Sequence, residues 1–259
     1  MISNVSKRLV KVTLINIVSF TALIFVWWLI SAFGEYSHAL FPSPLEAFGA
    51  FIEIVNDGSL YIHIRDSMQR FVIGYGAAVF SGVVFGLLLG CWWNIFKFCN
   101  PVIQLLRPIS PLAWMPFIVL WFGIGEIPAI VIIFIAAFFP VLLSTISSVR
   151  NIDSVYYKVS VNFGIKQPTL LWKVIFPAAF PGIASGAHLA LGTAWIFLVC
   201  GEMTGAQTGL GYLIIDARNN LRTDILLTDI TVIGIIGLFL DTLLRLGEDL
   251  LLRRWGVKD

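Results

Sequence analysis

Five ionisable side chains fall inside or at the edge of long apolar runs: Arg107, His188, Glu202, Asp241 and Arg245. A charge in hydrocarbon is expensive, so such residues mark either a solute path or an internal pair. Arg107 carries the charge an anion path needs, and it equally suits a structural arginine whose head reaches helix-end carbonyls. His188, Thr193, Trp195 and Glu202 follow one another along one apolar segment, where a lone histidine suits packing as well as ligation. Asp241 and Arg245 are four residues apart on one helical face, which predicts a structural pair. None of these sets is catalytic. The sequence has no Ser/His/Asp set, no metal-ligand cluster and no Gly-x-x-x-x-Gly-Lys-Ser/Thr phosphate loop. Cys91, Cys99 and Cys200 lack Cys-x-x-Cys spacing and read as small buried hydrophobes. The expectation is a chain that is not an enzyme and binds no cofactor itself.

The most informative stretch is Gly164–Pro177, a basic, amphipathic break between two long apolar runs. Asn151 and Asp153 can cap a helix from about 154 to 163. Gly164 suits the left-handed residue past its end. Pro168 suits the first position of a following helix, where its missing N–H costs little. The spacing therefore predicts helix, tight turn, helix. Tyr156, Tyr157, Ile165, Leu170, Leu171 and Trp172 supply apolar contacts, and Lys158, Lys166 and Lys173 supply charge. From the residues alone, such a segment fits an anionic lipid surface or a protein partner equally well.

These features must be held by membrane-spanning elements. The chain has 259 residues, of which 58% are hydrophobic and 12% charged, against roughly 25% charged in soluble domains. Apolar runs long enough for a ~30 Å hydrocarbon core predict an all-α membrane protein with about six crossings, near 14–33, 71–93, 102–122, 127–147, 180–202 and 230–252. Trp27 and Trp28 fit an interfacial belt. The apolar run after Lys7, Arg8 and Lys11 is too long for a signal-peptide core, so an uncleaved anchor is expected. Residues 34–66, with Glu46, Glu53 and Asp57, read as one or two short helices on the membrane surface. Gly82, Gly86 and Gly90 have the spacing of close helix packing. Pro108, Pro111 and Pro116 should kink or unwind the third crossing. Freed carbonyls need protein or a water-filled cavity, so this crossing is expected to line the interior, with ordinary kinked packing as the alternative. Glu202 is followed by Gly205, Gly209 and Gly211, which suit either a mobile outer loop or a re-entrant turn.

Charge distribution orients the chain. One side collects Lys7, Arg8, Lys11, Lys97, Arg150, Lys158, Lys166, Lys173, Arg253, Arg254 and Lys258. The other holds Arg65, Arg70, Arg218 and Arg222, with carboxylates near them. Both termini are therefore expected in the cytoplasm, with 148–179 as the largest cytoplasmic loop. The net charge of +2 implies no nucleic-acid partner.

The 158–177 stretch resembles the cytoplasmic loop motif of binding-protein-dependent ABC importer permeases: Glu-Ala-Ala, three residues, Gly, nine residues, Ile-x-Leu-Pro. Gly164 and Val174-Ile175-Phe176-Pro177 keep the spacing, while Lys158-Val159-Ser160 replaces Glu-Ala-Ala. Phe41-Pro42-Ser43-Pro44, Ser67–Tyr75, Leu106–Pro116, Trp121–Gly125, Gly201-Glu202-Met203 and Thr208–Gly211 resemble the nitrate/sulfonate/taurine (bicarbonate) branch. The resemblance spans about 41–254 and implies a type I ABC importer permease fold acting as a homodimer. It implies two cytoplasmic ABC ATPase subunits carrying ATP and Mg, an extracytoplasmic solute-binding protein, and a place in the cell (inner) membrane. The expected domains are 1–64, an anchor helix with an extracytoplasmic segment; 65–252, the permease domain; and 253–259, a cytoplasmic tail. The ATPase-coupling set is then Tyr156, Tyr157, Gly164, Ile165, Lys166, Pro168, Thr169, Trp172 and Pro177. The translocation-path set is Arg107, Pro111, Trp114, Pro116, His188, Trp195 and Glu202. A secondary transporter or channel independent of ATP is the rival; it should show charges deep in several crossings or an internal hydropathy repeat. The sequence does not choose the solute.

Overall fold

The computed structural model describes residues 2–34, 40–165 and 169–254, all helix and connecting loop without a strand among them. In chain order the helices are α1 (Ile2–Phe33), α2 (Pro44–Asn56), α3 (Ser59–Cys91), α4 (Trp93–Leu106), α5 (Met115–Phe122), α6 (Glu126–Arg150), α7 (Ser154–Asn162), α8 (Phe176–Gly205), α9 (Leu210–Asn219) and α10 (Thr223–Arg254). A 3-10 turn, Pro111–Trp114, leads into α5, and a π-helical turn, Leu171–Ile175, leads into α8. Lys166 and Pro168, and the tail beyond 254, lie outside the described residues, as does the side chain of Tyr157.

Four helical stretches are long and apolar enough to cross a membrane: Ser59–Cys91, Glu126–Arg150, Leu171–Gly205 and Thr223–Leu251. The first expected crossing lies in α1, whose apolar part Val18–Phe33 is shorter. The third expected crossing, 102–122, is not one helix. It breaks after Leu106, and the two pieces meet at 85°. Pro108 and Pro111 are the cause, because each lacks an N–H and crowds the preceding turn. The second crossing begins a dozen residues earlier than expected. The hydrophilic start of α3 is helical as well, so the surface segment holds one short helix, α2, rather than two.

The chain divides into two units, Met1–Tyr61 with Leu213–Val232, and Ile62–Tyr212 with Ile233–Asp259. In the first, Ser43 and Glu46 form a reciprocal capping box at the start of α2, with Pro44 in its first turn. The Trp27 indole donates to the Pro42 carbonyl, and Thr228 donates to the Ala47 carbonyl. Arg222 bonds both Glu53 and Asp224. The Asp224 hydrogen bonds, then those of Glu53, hold its guanidinium above an already high range. This pairing is half-exposed and therefore adds little stability.

The second unit is organised around α6. Glycines let two neighbours approach it closely. A side chain at Gly74 would strike Ile133, at Gly82 Val141, at Gly86 Thr145 and at Gly90 Val149, all on α6. The expected packing role of Gly82, Gly86 and Gly90 is thus met by α6. On its other side, Gly182 and Gly186 of α8 sit against Ser148 and Ser144, and Gly201 sits against Ala129. Buried Ile132, Ile133, Ala137 and Val141 fill the seams. Replacing Gly86 by Val should therefore separate α3 from α6 at a cost of about 1–3 kcal/mol. The check is a lowered melting temperature in detergent, with Gly76→Ala, which faces open space, as the neutral control.

Candidate functional site

Three polar constructions stand out in the second unit. The first is a buried knot. Arg70 on α3 is 2% exposed and Glu202 on α8 is 1% exposed. Arg70 Nη1 donates to Glu202 Oε1 at 2.8 Å and to the Thr208 carbonyl at 2.7 Å, and Nη2 donates to Thr208 Oγ1 at 2.8 Å. Ser67 Oγ and the Gly211 N–H also donate to the Glu202 carboxylate. Ser67 Oγ in turn accepts from the Leu210 N–H, and His63 Nδ1 accepts from the Gly209 N–H. The turn between α8 and α9 is thereby tied to α3. Gly209 (φ +110°) and Gly211 lie so close to the Glu202 carboxyl that neither tolerates a side chain. Of the two loop forms expected after Glu202, this is the fixed, folded-back turn. The exposed Glu126 stands 3.7 Å from Arg70 Nη2.

The second construction joins α8 to α10. His188 Nε2 lies 2.7 Å from Asp241 Oδ1, and its Nδ1 lies 3.5 Å from Glu248 Oε2. Arg245 donates to Asp241 Oδ2 at 3.2 Å, so the expected Asp241–Arg245 pair forms but shares its carboxylate. His188 is not alone.

The third is a cavity of about 350 Å³ between the α4–α5 break, α6 and α8. Arg107, Pro111, Ser144 and Thr193 are among its lining residues. The Arg107 side chain has no hydrogen bond or ion pair among the described residues. Of the expected path residues, the structure brings Arg107 and Pro111 together here. Trp114 packs beside Met115, Ile118 and Ile132. Pro116 borders a separate hollow with Thr204. Trp195 is buried, donates to the Ile233 carbonyl and stands edge-on to Phe71. His188 and Glu202 belong to the other two constructions. Arg70 and Ser67 were missed as site residues. Their signal was faint: an arginine one turn beyond a serine in a chain with few charges.

The basic loop follows its expected outline. Asp153 Oδ1 accepts the Val155 N–H and starts α7, while Asn151 closes α6 instead of capping α7. Gly164 is left-handed, at φ +66°. Thr169 and Leu170 are helical and run through the π turn into α8 without a stop, so the second short helix is the near end of the long one. The π turn has a local cause. Pro177 has no N–H to return to Lys173, and the Phe176 N–H bonds Leu171 instead. Tyr156 (54%) and Trp172 (61%) are exposed.

Residues 82–257 match the family described as binding-protein-dependent transport system inner membrane component. The chain is 34% identical over 240 residues to the taurine transport system permease protein TauC of Escherichia coli (strain K12), covering 91% of this chain and 87% of that one. It is 33% identical over 187 residues to the nitrate import permease protein NrtB of Leptolyngbya laminosa, covering 72% and 67%. Its fold resembles inward-facing structures of the MetNI methionine ABC transporter, with a TM-score of 0.57 at 18% identity over 76% of this chain and 97% of that one. The chain belongs to the family of inner membrane components of binding-protein-dependent transport systems. It is a multi-pass membrane permease with the type I ABC importer permease fold.

Breaking the buried knot from one side leaves an uncompensated charge. Glu202→Leu should cost about 3–5 kcal/mol, read as a fall in the melting temperature of the purified protein. Arg70→Met combined with Glu202→Leu should recover a large part of that loss, a non-additivity that a double-mutant cycle measures.

Proposed function

We propose that this chain is one half of a homodimer that imports a small anionic solute of the taurine, sulfonate or nitrate kind. In this reading two ATPase subunits, which hold the ATP and Mg, grip the segment from about 154 to 173. A solute-binding protein delivers the cargo to the opposite face. Both termini lie in the cytoplasm and the chain sits in the cytoplasmic membrane. The permease does no covalent chemistry. ATP-driven closure of the partners biases an equilibrium between inward-open and outward-open arrangements by binding one better than the other.

One observation carries the reading. Between two membrane-spanning helices, a short helix and a tight turn present Val155, Tyr156, Phe163 and Trp172 as exposed apolar surface, next to Lys158 and Lys173. The π turn connects this surface rigidly to α8, which packs on α6 and borders the Arg107 cavity. A push on the loop is thus delivered to a wall of the cavity. The outward-facing knot suits a fixed frame against which that wall moves.

Trp172→Asp should reduce co-purification of the ATPase subunits by at least about tenfold, because it places a carboxylate in the apolar contact. Gly164→Pro should act likewise, since proline cannot adopt the left-handed turn. Gel filtration shows that each variant is folded. Uptake that continues in cells without the ATPase subunits would instead favour a secondary transporter.

A further inference from the structure

The cavity beside Arg107 has more hydrogen-bond acceptors than a bare anion can use. At about 350 Å³ it lies within the size range of small-molecule sites. Its one cationic group is the Arg107 guanidinium, which has no protein partner among the described residues. The two hydroxyls on its walls have already committed their protons. Ser144 Oγ donates to the Gly182 carbonyl at 2.7 Å, and Thr193 Oγ1 donates to the Ala190 carbonyl at 2.9 Å. Each hydroxyl oxygen keeps lone pairs and acts toward the cavity as an acceptor. Pro140 adds a third acceptor. It lacks the N–H that would return to the carbonyl of Ala136, and both residues line the cavity. The arrangement is one strong cationic donor facing a set of neutral acceptors.

A simple oxyanion satisfies the first and is repelled by the rest. A simple amine does the reverse. We propose that this cavity is a transit site for a small zwitterion, an amine that also carries a sulfonate or carboxylate. Its oxyanion lies on Arg107 and its ammonium N–H groups on Ser144 Oγ, Thr193 Oγ1 and the Ala136 carbonyl. The proposal rests on the importer reading and deepens it by naming the cargo class and the residues that select it. A site built to hydrogen-bond both ends rejects analogues that lack one, because a polar group is then left unpaired.

The test uses the permease with its ATPase subunits in lipid nanodiscs, without the solute-binding protein. Binding of radiolabelled taurine and β-alanine is measured at millimolar concentration. Competition by ethanesulfonate, ethylamine and nitrate follows. Taurine or β-alanine should bind saturably, and each one-ended competitor should be at least about tenfold weaker. Arg107→Ala should lower zwitterion binding by at least about tenfold, and Arg107→Lys should keep part of it, since a charge remains without the planar fork. Thr193→Val should weaken taurine several-fold and leave ethanesulfonate unchanged. The proposal is overturned if neither zwitterion binds saturably, if nitrate or ethanesulfonate competes as well as taurine, or if Arg107→Ala binds like wild type. ATPase retention in the same particles reports separately on the importer reading: its loss with binding intact would sink that assignment and leave the site standing.

Discussion

Helices in hydrocarbon gain little by burying apolar surface, because lipid tails are as apolar as leucine. Cohesion must come from short-range contact, and α6 obtains it on two sides. Glycines of α3 bring that helix against Ile133, Val141, Thr145 and Val149, and glycines of α8 do the same at Ala129, Ser144 and Ser148. Once the backbones are this close, Ser144 can reach the Gly182 carbonyl across the seam. The three-helix frame fixes where everything else sits. The α4–α5 break, the knot and the basic loop are all attached to members of it.

Polar groups divide into those the frame consumes and those it leaves over. Arg70 and Glu202 are consumed. Their charges, two side-chain hydroxyls and two backbone N–H groups saturate one another behind the α8–α9 turn. His188, Asp241, Glu248 and Arg245 are likewise turned toward one another between α8 and α10. Arg107 is left over. It sits at the one place where proline has opened a crossing, so the same residue type serves as a staple in α3 and as an open contact in the cavity wall.

What was legible from the sequence was local. Glycines four apart mark one face of a helix, so their packing role could be read without knowing the partner. Gly164 announced a left-handed turn, and three prolines announced a damaged crossing. The angle of the break could not be read, since it depends on where α5 finds its seat on α6. The long-range pairs were also invisible. Arg70 and Glu202 are separated by 132 positions, and His188 and Asp241 by 53. Arg70 looked like one more loop charge because the hydrophilic start of α3 hid the fact that it is helical. Glu202 and His188 looked like path residues for the same reason: a charge in an apolar run shows its cost but not its partner. The π turn left only Pro177 as a trace.

That turn sets an azimuth. Hydrogen bonding five residues back instead of four inserts one position into the winding at Leu171–Ile175. In an α-helix each position advances the spiral by about 100°. Trp172 and the strand of chain before it consequently leave the helix on a different compass bearing from the one a plain spiral would assign. Shortening the turn by one residue would swing the entire basic elbow around the axis of α8 while keeping every side chain it carries.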